Sequence, residues 1–147
     1  MMKHYTVKLK IVKLESGSYH ITIPAKIEDT PVNLVVDTGA SHTCFDLNFI
    51  KDLNHKIESD DSGKNELNIG LGEVGFESKV TYLPDFQIGK LTVKDYMVAL
   101  LDLTHVNMTY KHLKKPMIHG MLGCDFLIRF MAMIDYMKGE MTLWCKN

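Results

Sequence analysis

Asp37, Thr38 and Gly39 are the residues of this chain whose types and order could do acid–base chemistry. They stand directly behind the apolar run Val32-Asn33-Leu34-Val35-Val36 and ahead of Ala40-Ser41. In that order the acid can transfer a proton, the hydroxyl can fix a neighbour by a hydrogen bond, and the glycine lets backbone approach closely. A carboxylate at the tip of a hydrophobic strand is costly unless donors replace its lost hydration, so its presence there asks for a role. Asp-Thr-Gly is also an ordinary turn sequence, in which Asp caps and Gly takes positive φ. No second copy is delivered in the same way. Asp61-Ser62-Gly63 follows the polar Glu58-Ser59-Asp60 and reads as a charged surface turn. Asp102, Asp125 and Asp135 lack a following Thr/Ser-Gly.

Strands must carry the acid to its place. Alternating apolar residues at Val7, Leu9 and Ile11, then at Tyr19, Ile21 and Ile23, predict strands with one face on a core, turned at Ser16-Gly17-Ser18. Pro24 and the stretch Glu28-Asp29-Thr30-Pro31 argue for an edge or a turn. Asp46 is placed to cap a short helix over Asn48 to Leu53. The polar run from Glu58 to Asn65 reads as a solvated loop, and Leu67 to Leu83 as a hairpin with a glycine-rich tip at Gly70, Gly72 and Gly75. Further strands are expected at Phe86 to Val93, turning at Ile88-Gly89-Lys90-Leu91, and at Tyr96 to Leu101. A final hairpin joins Met131–Tyr136 to Met141–Cys145 around Met137-Lys138-Gly139-Glu140.

Near the C-terminus, Met121-Leu122-Gly123-Cys124-Asp125-Phe126-Leu127 sets two apolar residues before a glycine and then a short amphipathic stretch. With Asp37-Thr38-Gly39 this resembles the retropepsin-like aspartic proteases, in single-lobe form, over Tyr19 to Leu143. The resemblance implies an all-β fold: a closed antiparallel acid-protease barrel of one lobe, with one or two short helices and a flap hairpin. It implies Asp37 as the catalytic acid, Thr38, Gly39, Ala40 and Ser41 as its loop, Leu122 and Gly123 as support from behind, and Ile69, Gly70, Leu71 and Gly72 as the flap over bound peptide. A plain β-hairpin needs the same turn glycines. The chemistry takes two carboxyls sharing one proton, and one chain offers one, so the resemblance implies a homodimer acting on a peptide or protein substrate. Thr38 would then bond across the dimer axis. Ala40 stands where pepsin-like members carry serine, which removes a donor to the dyad and points to an optimum nearer neutral. Cys124-Asp125 replaces the Arg-Asn of retroviral members, and with it the salt bridge of that arginine. Trp144, Met141 and Leu143 could pack inward or against a partner. The rival expectation is a catalytically silent barrel serving as a peptide-binding or dimerisation module.

The 147 residues suit one domain, 1–147, with a self-sufficient core. A net charge of −1, from 17 basic and 18 acidic residues intermixed, offers no electropositive field for nucleic acid. No apolar stretch predicts a signal peptide or a membrane span. The odd set Cys44, Cys124 and Cys145 points to reduced thiols and a cytoplasmic setting. No cofactor is expected and no metal, because the seven histidines are scattered without ligand spacing. His119, in an apolar run, reads as a satisfied core histidine, and the ten methionines as core filler.

Overall fold

The structure, a computed structural model, describes residues 1–53, 58–59 and 79–147. Strand β1 (Met2–Lys8) is followed by the hairpin of β2 (Lys10–Glu15) and β3 (Ser18–Ile27), whose turn is Ser16-Gly17. Glu28 and Asp29, both at positive φ, turn β3 tightly into β4 (Thr30–Val36). The short β5 (Cys44–Asp46) leads into α1 (Leu47–Asp52), where the Asp46 carboxylate accepts the Phe49 N–H at 3.3 Å, the cap expected from sequence. After β6 (Glu58–Ser59), the long strands β7 (Lys79–Ile88) and β8 (Leu91–Leu101) form a hairpin around Gly89, at φ 58°. Helix α2 (Thr104–His112) precedes β9 (Gly120–Leu122), α3 (Cys124–Arg129), β10 (Met133–Asp135) and β11 (Glu140–Lys146).

Six strands close on themselves in the order β3, β4, β9, β5, β8, β7, with the ring sealed where Ile27 of β3 meets Phe86 of β7. The barrel is mixed: β4 runs parallel to β9, and β5 parallel to β8. Pro24 sits inside β3 between Thr22, which pairs with β2, and Lys26, which pairs with β7. On that side the strand changes partner, so the missing N–H of proline costs no ladder bond.

Ile23, Leu34, Phe45, Leu83, Phe86, Leu122 and Phe126 fill the interior and are fully buried. Phe126 stacks on Phe86 with ring centroids 5.5 Å apart, and Phe45 meets Phe86 edge-on at 5.8 Å. A second sheet, β1-β11-β10, lies on the barrel. Its strands β1 and β11 pair within the chain from Met2↔Lys146 to Lys8↔Glu140. Met141 and Leu143 point inward and are fully buried, whereas Trp144 is half-buried on the other face against His4, at 4.8 Å. Among the described residues no helix is long and apolar enough to cross a membrane.

His119 is half-buried just ahead of β9. Its Nδ1 accepts the Asn33 N–H at 2.9 Å and its ring meets Phe49 edge-on at 4.7 Å. Burial holds its pKa below the ordinary value of 6.5. Below that pH the unfolded chain therefore binds more protons than the folded one, and stability falls as pH falls. The urea midpoint is expected to drop between about pH 7 and about pH 5, and His119→Gln to flatten that slope. An identical slope in the variant would assign the acid sensitivity elsewhere.

Candidate active site

β4 delivers Asp37 to the barrel rim. The Asp37 N–H donates to the Leu122 carbonyl at 3.0 Å, one step beyond the parallel β4–β9 ladder, so the fully buried Leu122 lies behind the loop. Asp37 is half-buried, and its Oδ1 accepts the Gly39 N–H at 2.9 Å. The Ala40 N–H donates to the Asp37 carbonyl at 3.2 Å and closes the turn. A Cβ on residue 39 would stand 3.2 Å from Asp37 Oδ1, so glycine serves the close approach here. Thr38 is exposed, while Ala40 is buried beneath the loop.

The far side of the loop is held by α3. This helix begins at Gly123 with no side-chain cap, leaving its first N–H groups to find other partners. Cys124 N–H donates to the Ala40 carbonyl at 2.8 Å, and Asp125 N–H to the Ser41 carbonyl at 3.3 Å. The Cys124 thiol adds a bond to the Thr38 carbonyl at 2.9 Å. A Cβ at residue 123 would come within 2.6 Å of the His42 carbonyl carbon, which is why helix and loop can touch only through glycine.

Asp125 reaches back beneath this contact. Its Oδ1 accepts both the N–H and the hydroxyl of Thr43 at 2.8 Å, and its Oδ2 accepts the Tyr96 hydroxyl at 2.7 Å. The Thr43 Oγ1 in turn accepts the Gly123 N–H at 3.0 Å. The sequence reading missed Thr43, Tyr96 and Asp125 as site residues. Tyr96 carried one signal, a spacing of three after Val93 that breaks the period-two alternation of its strand. Cys44 lies behind the loop, where burial pushes its thiol up to about 11 and the carboxylates of Asp37 and Asp125 add to the shift. It is therefore no nucleophile at neutral pH.

Beside Asp37 opens a cavity of about 370 Å³, walled by Ile21, Val35, Val106, Ile118 and Met121 and rimmed by Tyr136. His20 hydrogen-bonds the buried Tyr110 through Nδ1, next to this wall. Among the described residues no three ligating side chains converge on a metal site. The expected flap residues Ile69, Gly70, Leu71 and Gly72 lie outside the described residues.

The sequence model of a family described as Aspartyl protease matches residues 23–126, which runs from β3 through the loop to α3. The chain belongs to the aspartyl protease family. Its fold aligns with that of a retropepsin-like aspartic protease from Rickettsia conorii, at a TM-score of 0.57 and 18% identity over 98% of this chain and 92% of that one. It also aligns with the retroviral protease-like domain of Ddi1 from Leishmania major, at 0.50 and 16% over 83% and 86%. No curated protein matches the sequence. At these identities the structural likeness establishes the retropepsin-like fold.

Gly123→Ala forces the α3 start away from His42, and an overpacked contact of this kind costs about 2 kcal/mol. Its unfolding free energy is expected to fall by that amount, read as a lower denaturant midpoint at unchanged m-value. A midpoint equal to wild type would show that the helix–loop contact is slack.

Proposed function

We propose that this chain, one domain over 1–147, is an aspartic endopeptidase in which two copies each contribute Asp37 to a shared dyad. The supporting observation is Asp37 itself, held by the Gly39 N–H at the rim of the barrel and opening onto a cavity lined by both apolar and polar side chains. Asp-Thr-Gly occurs once at the end of an apolar strand, so the second carboxyl comes from a partner. The exposed Thr38 is free to meet that partner.

In this arrangement the two carboxyls hold one proton between them and titrate as a pair. The ionised one draws a proton from water as oxygen attacks the peptide carbonyl, while the protonated one donates to the carbonyl oxygen. Collapse of the tetrahedral adduct breaks the C–N bond, and a carboxyl proton passes to the leaving nitrogen. The cavity walls of Val35, Ile118 and Met121 suit an apolar substrate side chain beside the scissile bond. Thr38, Gly39, Ala40 and Ser41 form the loop, with Leu122 and Gly123 behind it.

The Gly39–Asp37 bond would equally serve a structural turn, which is what a silent peptide-binding or dimerisation barrel requires. Cleavage of an unstructured protein separates the two readings. Wild type is expected to cleave it near neutral pH, to be blocked by pepstatin, and to lose roughly a thousandfold in turnover in Asp37→Asn. Turnover unchanged in that variant would remove Asp37 from the chemistry. Activity confined to strongly acidic pH would contradict the role given to Ala40.

A further inference from the structure

Strand β8 breaks its own alternation. Leu91 and Val93 face the core, then Tyr96, Val98 and Leu100 do, so the phase slips by one residue at Asp95. Asp95 has φ 49°, a left-handed backbone that an L-residue adopts only at a cost. Its register position faces Pro84 in β7, and β7 slips at the same level, from Leu83 to Phe86. The strained residue thus turns Tyr96, and not its neighbour, into the barrel. There the ring stands edge-on to Phe126 at 5.5 Å and to Phe86 at 6.0 Å, and the Arg129 guanidinium lies 5.6 Å from its centre. The phenol ends on Asp125 Oδ2 at 2.7 Å. Burial, and then the bond to Asp125, raise its pKa, so it remains a donor at any working pH.

We propose that Tyr96 and Asp125 are positioning residues, a buried phenol–carboxylate relay that sets the Asp37 loop through Thr43 and the first turn of α3. The proposal rests on the reading of Asp37 as the catalytic acid. Tyr96 fixes one oxygen of Asp125, and Thr43 takes the other. Asp125 and its neighbour Cys124 present their N–H groups to the Ser41 and Ala40 carbonyls, so the rotation of α3 about its axis fixes the loop. Without the phenol, one carboxylate oxygen is released and the first turn of α3 can shift. The cavity beside Asp37 shares none of these residues, so substrate binding is untouched while the acid loses its alignment.

The test is Tyr96→Phe in the full chain, with Tyr82→Phe, an exposed tyrosine of β7, as control. In Tyr96→Phe, kcat is expected to fall about tenfold with KM within about twofold of wild type. Amide exchange at Asp37 and Ala40 is expected to quicken about tenfold while exchange at Phe86 and Val93 holds. Thr43→Val should reproduce this pattern and Thr43→Ser, which keeps the hydroxyl, should not. Exchange that quickens uniformly over the barrel, or kcat and loop exchange equal to wild type, would overturn the proposal. Should wild type and Asp37→Asn prove equally inert on peptides, the catalytic reading falls, and loop exchange in Tyr96→Phe still decides the positioning role.

Discussion

The uncapped start of α3 is the contact on which the rest of the site depends. A helix leaves its first N–H groups without partners, and a tight loop leaves carbonyls in the same need. Here each supplies the other: Cys124 and Asp125 donate to Ala40 and Ser41, and Gly123 lets the two backbones come close enough to do so. The bond from Asp37 N–H to Leu122 ties the same loop to β9, two residues ahead of the helix. The acid is thereby held from two sides by backbone bonds, to which the Cys124 thiol adds one at the Thr38 carbonyl. The Asp125 side chain, held by Thr43 and Tyr96, fixes the helix turn that supplies two of these bonds.

Two carboxylates near the loop are treated in opposite ways. Asp125 accepts three hydrogen bonds, two from Thr43 and one from Tyr96, and these donors offset the loss of its hydration. Among the described residues Asp37 accepts one, from Gly39, and borders an open cavity. A carboxylate with its lone pairs engaged is a strut, whereas one with free oxygens can exchange protons with water or a partner. Cys44, itself buried, feels both charges and stays a thiol.

Much of this was legible in the sequence. The Asp37 motif on its strand, the Asp46 cap, the β7–β8 turn at Gly89 and the last hairpin all follow from local patterning, where period and turn residues carry the information. Helix α2 had no counterpart in that reading, because it buries little beyond Tyr110 and its start is held by Asp102, whose carboxylate accepts the Thr104 N–H at 2.9 Å, and not by a capping residue next to an apolar stripe. The parallel pairings of β4 with β9 and β5 with β8 are set by contacts distant in sequence, which periodicity cannot report. Asp125 showed no Thr/Ser-Gly after it and so looked idle, while its task is defined by Thr43 and Tyr96, residues far away along the chain.

A seam shared by two chains is the central claim, and a mixing experiment tests it most directly. Wild type and Asp37→Asn are combined at constant total protein, allowed to exchange subunits, and assayed for peptide cleavage. If each active centre draws one carboxyl from each copy, an equal mixture works at about one quarter of the all-wild-type rate, because activity follows the square of the wild-type fraction. A rate of about one half, linear in that fraction, would mean that each chain acts alone and would contradict the account.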